Sequence, residues 1–243
     1  MRAYYIRRRG EPLILSSLLY AEADGLCDDE SMVWISSGLI RREEEEEASK
    51  VIYREADDVV SLWIQNRRYI PRLVISAVVF LFSYFFFTLV IRDPIPMIDE
   101  ILIGLLLASL AWIWLSRLDE KSSMAEAKRE VLYSAIENAS FEYSDDIRTC
   151  EVYYESLYGY KALELSRMIA SSTLPELAVK DEPELERAMK AYMQKENKAM
   201  DRILKRLEDD EEEKTARFLL HQAAVSGLDL QNLAFYSALT SKN

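Results

Sequence analysis

The sequence predicts an all-α protein built on a two-span transmembrane helical hairpin, with cytoplasmic helical regions before and after it. Three observations predict this. Two long apolar runs, Leu73–Ile91 and Ile101–Leu115, lie close together near the middle of the 243-residue chain. Glycine and proline are scarce, at six each, and chains so poor in turn formers are seldom sandwiches or barrels. Outside the apolar block Glu, Ala, Leu, Lys and Arg dominate, which favours helix.

Residues 1–42 form a basic and apolar N-terminal segment. "RAYYIRRRGEP" leads into an apolar stretch, Leu13–Leu26, with Pro12 suited to the first turn of a helix and Gly25 to its end. Arg7, Arg8 and Arg9 form a basic cluster. They are either an ordinary charged terminus or a contact for anionic lipid headgroups, each arginine then contributing about 1 kcal/mol. "MVWISSGLI", Met32–Ile40, is apolar enough for a short strand or a helix. A lone strand would have no partner, so a helix is expected.

Residues 43–72 carry an amphipathic juxtamembrane helix, with Ile52, Ala56, Val59 and Trp63 at helical spacing. Glu43–Glu47 suit a solvated first turn, because acid is favourable at the positive end of the helix dipole. This helix is expected to meet the first span near Pro71.

The hairpin occupies 73–115, with spans at 73–91 and 97–115. Leu73–Ile91 contains no charge, and as a helix it would be about 28 Å long, close to the hydrocarbon thickness of a bilayer. The second span extends back to Met97, which places Asp99 and Glu100 in its first turn at headgroup depth. The connection Arg92–Pro96 is short enough to require antiparallel helices. Arg67, Arg68 and Arg72 precede the first span, and Arg117, Lys121, Lys128 and Arg129 follow the second, so both termini are expected to be cytoplasmic. Trp63, Tyr69, Trp112 and Trp114 suit an interfacial belt. The expected location is a cell inner or plasma membrane, or the corresponding inner membrane of an organelle.

Residues 116–174 are expected to form a tyrosine-rich cytoplasmic helix. Ser123–Glu126 offers a capping box, and Tyr143, Ile147, Cys150, Tyr154, Leu157 and Lys161 step at three and four. "NAS" at Asn138–Ser140 matches a glycosylation sequon but lies on the expected cytoplasmic side. A linker, 175–183, contains Pro175, Pro183 and a plausible N-cap, Asp181. The charged C-terminal region, 184–243, carries a stripe of Leu185, Met189, Tyr192, Ala199, Ile203 and Leu207. Its spacing suits a short coiled coil or a helical bundle within the chain. Two short helices broken at Gly227 are expected in the tail.

Little in the sequence points to catalysis. The single histidine, His221, lies in an apolar helical context where packing is the expected role. The scattered glycines form no phosphate loop. Cys27 and Cys150 have no metal-ligand spacing and make no disulfide framework. No cofactor or metal is expected. A net charge of −12 disfavours a nucleic-acid partner. Asp99 and Glu100 are the one carboxylate pair with a distinctive position, since an oligomer would gather them into a cation-selecting ring at the external mouth. That layout is similar in plan to two-span cation channels such as the mitochondrial calcium uniporter and the magnesium-channel family. Neither family's signature, Asp-Ile-Met-Glu or Gly-Met-Asn, is present. Gly104 and Ala108 make a small-xxx-small pair suited to close helix packing. The expectation is a non-catalytic, membrane-anchored helical scaffold or interaction subunit. It would contact lipid and a protein partner or a copy of itself, with a two-span cation channel or transport subunit as the alternative.

Overall fold

The computed structural model describes residues 1–20, 31–91, 98–179, 182–209 and 211–241. Helix accounts for 73 % of the described residues, and two helices are long and apolar enough to cross a membrane. The all-α expectation is nevertheless corrected, because a four-stranded sheet is present. The described residues divide into two compact units, one comprising 1–20, 31–55 and the residues from 135 onward, the other 56–134.

The first unit is built on strands β1 (Arg2–Arg8), β2 (Glu11–Ser16), β3 (Val33–Ser36) and β4 (Ser140–Tyr143), in spatial order β2-β1-β3-β4. β1 and β2 are antiparallel, and their two-residue turn places Arg9 and Gly10 both at positive φ, +43° and +85°. That geometry is the hairpin turn whose twist matches the strands, and glycine adopts it at no steric cost. Pro12 therefore stands second in an edge strand, where its missing N–H breaks no ladder, rather than in the first turn of a helix. Gly25, the expected helix end, lies outside the described residues.

β3 runs parallel to β1 on one side and to β4 on the other, with Trp34 level with Ala3 and Phe141. The expected helix at Met32–Ile40 is thus a central strand. Side chains alternate across the pleat. Tyr4, Ile6, Leu13, Leu15 and Ile35 face the main core, while Ala3, Tyr5, Trp34 and Ser16 are buried on the other face.

That core is completed by helices α4 (Asp145–Leu157), α5 (Ala162–Ala170), α6 (Pro183–Glu196), α7 (Met200–Asp209), α8 (Glu212–Ser226) and α9 (Leu230–Thr240). The expected tyrosine-rich helix over 116–174 is divided, with a strand in its middle. Its apolar spacing survives in α4, where Ile147, Cys150, Tyr154 and Leu157 are all buried. The expected heptad stripe is divided too. α6 ends at Glu196, the backbone of Asn197 after it is extended, and α7 begins at Met200, so Leu185, Met189 and Ile203 pack into the core of their own chain. Asp181 lies outside the described residues; Pro183 occupies the first turn of α6. Gly227 ends α8 in the left-handed conformation, and Asp229 caps α9 by accepting from the N–H groups of Gln231 and Asn232.

Helix α1 (Arg42–Phe86) is continuous through Pro71, so the expected juxtamembrane helix and first span are one element. At its start the Glu44 carboxylate accepts from the Arg41 backbone N–H (3.0 Å) and from the Arg41 guanidinium (2.8 Å), half of a capping box. These bonds hold the Glu44 carboxyl at about 2, below the usual range. A depressed carboxyl contributes stability above its unfolded pKa and loses it as pH falls through the folded one. Glu44→Gln is therefore expected to cost about 0.5–1 kcal/mol at neutral pH, the size of a cap contribution. The difference from wild type should close between pH ~4.5 and ~2, as read by thermal melts across that range.

The second unit contains the later turns of α1, a π-helical turn (Phe87–Ile91), α2 (Ile98–Glu120) and α3 (Ser123–Glu137), the last of which also extends into the first unit. Ser122 rather than Ser123 precedes α3 as its cap, with its hydroxyl accepting from Ala125 N–H. Arg129 and the Tyr133 hydroxyl of α3 both bond Asp57 of α1, at 3.2 and 2.8 Å. Arg72 of α1 donates to Asp119 of α2 at 2.7 Å and lies 3.3 Å from the Ser116 hydroxyl. Gly104 admits the Phe80 ring: a methyl group placed there would stand 3.1 Å from it.

Burial in this unit is inverted relative to a soluble helix. The positions of α1 between 72 and 83 that are buried are Arg72, Ser76 and Ser83, whereas Leu73, Val74, Ile75, Val78, Leu81 and Phe82 are exposed. Trp63 departs from the expected belt, being buried with Arg67 and Lys128 at 5.4 and 5.3 Å from its ring. Tyr69 meets Trp112 edge-on at 5.5 Å, and Trp114 is exposed.

Candidate functional site

The most distinctive surface of the first unit surrounds β4. This strand is the edge of the sheet, and all four of its residues are exposed. Ser140 N–H donates to Met32 C=O and Ser144 N–H to Ser36 C=O, both at 2.9 Å. In a parallel ladder the same alternate residues direct both backbone groups to one neighbour. The N–H and C=O groups of Phe141 and Tyr143 therefore point away from β3. Among the described residues no strand meets them.

Beside this edge lies a groove of about 510 Å³, between β4, the turn after β3 and the first turn of α1. Its walls include Gly38, Leu39, Ile40, Glu45, Phe141 and Tyr143. Three of these are large, apolar or aromatic, and strongly exposed: Leu39 at 96 %, Phe141 at 50 % and Tyr143 at 60 %. Such residues gathered at one place are characteristic of an interaction surface, whereas scattered ones are not.

The groove is held in shape from behind. Trp34 is 1 % exposed and stacks on Phe141, with centroids 6.5 Å apart and planes 12° apart. The turn carrying Leu39 is fastened by Ser36 Oγ donating to Gly38 C=O (2.6 Å) and by Arg7 Nη2 donating to Leu39 C=O (2.8 Å). Ser37 Oγ donates to Glu151 at 2.5 Å, and the same carboxylate accepts from Arg7 N–H. Glu45 lines the groove, Glu142 lies on β4 between its two aromatic residues, and Asp145 and Asp146 open α4 directly after β4. The site is thus apolar in its floor, acidic around it and bordered by backbone groups that no strand meets among the described residues.

Of the residues singled out by sequence, the arginine cluster is engaged within the first unit. Arg7 pairs with Glu44, Arg8 bonds Asp229 and Asn232, and Arg9 stacks over the Tyr158 ring at 4.4 Å. The same network includes a hydrogen bond from the Tyr154 hydroxyl to Asn232. Burial pushes the Tyr153 phenol up to about 12 and that of Tyr154 well above its ordinary value, so both stay neutral and act as packing groups. Glu100 is half-buried, with an oxygen 2.6 Å from the Thr88 hydroxyl of the neighbouring helix. Asp99 belongs to α2, but its side chain lies outside the described residues. His221 is exposed rather than packed. Cys150 is buried and in no disulfide, and Cys27 lies outside the described residues. Among the described residues no three His, Cys, Asp or Glu side chains converge as a metal site would require.

Sequence reasoning did not single out Leu39 or Phe141, and it put Tyr143 on the aromatic face of a helix rather than on a strand. The available signal was the alternation of "SFEY", two aromatics flanking an acid with a polar residue before them. No protein-family model matches the chain, and neither a curated protein nor a solved structure is detectably similar to it.

Proposed function

We propose that this is a non-catalytic integral membrane protein in which the apolar helical hairpin is the anchor and the mixed α/β body is a docking module for a protein partner. Membrane insertion is supported by the inverted hairpin. Only 17 % and 6 % of the apolar stretches of its two helices are buried, while an arginine and two serines occupy the buried positions of the first. A soluble core helix shows the opposite arrangement, and exposed apolar surface on this scale is stable in lipid. The docking role rests on one observation: an apolar groove beside an exposed sheet edge, fixed from behind by Trp34 and by the bonds to the Leu39 turn. The basic flanks of both spans support a cytoplasmic location for the body.

The cation-channel reading has less support. Glu100 is turned toward Thr88, and the exposed faces of the spans are apolar along the described residues rather than polar as a conducting wall would be. The anchor and orientation are tested together by expressing the chain with endoplasmic-reticulum microsomes. The chain should remain in the membrane pellet after an alkaline carbonate wash, and Asn138 should stay unglycosylated. Release by carbonate would overturn the anchor. Modification of Asn138 would place the body on the lumenal side.

A further inference from the structure

We infer that β4 accepts an extended basic segment of a partner protein as a fifth strand, with the partner's apolar side chains seated in the adjoining groove; this rests on the docking reading above and specifies its occupant.

Strand addition follows from the backbone. Phe141 and Tyr143 each present an outward N–H and C=O, spaced as a strand requires. An exposed edge of this kind is a template for another chain unless it is covered, charged or bulged away. When a peptide pairs with such an edge, the main chain supplies affinity and alternate side chains supply selectivity.

The pleat then specifies the sequence of the occupant. Phe141 and Tyr143 share the sheet face of Trp34 and Ser36, which is the face bordered by the groove. Glu142 points to the opposite face, at the level of Ile35. An added strand would therefore place alternate residues beside Phe141 and Tyr143, where the groove favours apolar groups such as valine or leucine. The intervening residue would stand opposite Glu142, where lysine or arginine is favoured and acid is disfavoured. Glu45 and the acidic first turn of α4 extend the same preference. The required pattern is apolar-basic-apolar with period two.

A second copy of this chain is the weaker occupant. An antiparallel pairing of β4 with itself, centred on Glu142, would set the two Glu142 carboxylates directly opposite each other. Like charges so placed are destabilising, and each copy carries a net charge of −12.

The test uses the full chain in detergent micelles and the capped, dye-labelled peptide TVKVKVT, with TVEVEVT as the charge control. A third peptide is the lysine peptide N-methylated at alternate residues, so that it keeps its charge but cannot donate to a strand. Fluorescence anisotropy should show saturable binding of the lysine peptide. Affinity should fall about tenfold or more on N-methylation, because the strand bonds are lost. Glu142→Lys, an exposed substitution, should weaken the lysine peptide and strengthen the glutamate peptide, each by about threefold to fivefold. Equal binding of the methylated peptide would reduce the site to simple charge attraction and overturn strand addition. Dimerisation of the wild type in micelles, abolished by Phe141→Asp, would assign the edge to a second copy instead. Membrane retention after carbonate is read separately, so failure of the peptide assay leaves the anchor standing and failure of the anchor leaves the peptide result interpretable.

Discussion

Replacing Asp119 with alanine is expected to destabilise the helical hairpin by about 3–5 kcal/mol, the cost of leaving one member of a buried ion pair without its partner. Asp119 accepts from Arg72 at 2.7 Å, and the Arg72 side chain is only 4 % exposed. Removing the carboxylate leaves a guanidinium between two apolar helices with the Ser116 hydroxyl as its remaining side-chain hydrogen-bond partner among the described residues. Arg68, at 3.9 Å from the same carboxylate, is too far and too exposed to dominate. Asp119→Asn should cost less, since the amide oxygen still accepts from Arg72. The double replacement Arg72→Met with Asp119→Leu should cost far less than the two single changes added, because it removes the need for the pair. Unfolding by denaturing detergent, followed by tryptophan fluorescence, measures all four variants. A loss below about 0.5 kcal/mol for Asp119→Ala would show that apolar contacts alone fasten the hairpin.

The second large effect is expected in the α/β body. Trp34→Ala should destabilise it by about 3–5 kcal/mol, as truncation of a large buried aromatic leaves a cavity that the surroundings only partly close. Trp34 sits on a central strand, is 1 % exposed and stacks on Phe141. Trp34→Phe preserves an aromatic platform at smaller volume and should cost roughly half as much. The two variants also separate stability from binding. Under conditions where Trp34→Ala remains folded, Phe141 has lost its support, and affinity for the lysine peptide should fall by about tenfold. Trp34→Phe should retain most of it. Thermal melts in micelles give the first quantity and anisotropy the second.

The hairpin was legible in the sequence because its signal is local: a charge-free run is visible within one window. α4, α8 and α9 were legible for the same reason, through apolar spacing and the breaker Gly227. The sheet was not. Met32–Ile40 looked like a strand without a partner, and its partners are Arg2–Arg8 and Ser140–Tyr143. One was masked by its arginines, which read as a charged terminus, although Tyr4 and Ile6 between them alternate toward the core. The other is only four residues long and exposed throughout. Short parallel strands paired across a long connection leave almost no local trace, because their stabilisation comes from neighbours distant in sequence. The groove was illegible for the same reason, since Leu39 and Phe141 meet only once β3 and β4 are paired. The inward direction of Ser76 and Ser83 was likewise hidden, as a span's sequence does not reveal which face meets the other helix.

The pairing of β3 with β4 also fixes an order of events during synthesis. The strands lie side by side, yet the whole hairpin is threaded between them in the chain. At a translation rate of about 5–20 residues per second, β3 leaves the ribosome many seconds before β4 exists. During that interval the two apolar helices emerge, and the proposed anchoring would require an insertion machinery to receive them, while Trp34 waits with no strand on its β4 side. On the proposed anchoring, delivery of the hairpin would precede completion of the body, and a nascent chain that missed a membrane would carry both an unsheltered hairpin and an open sheet. The topology would thereby couple completion of the α/β body to successful insertion of the apolar helices.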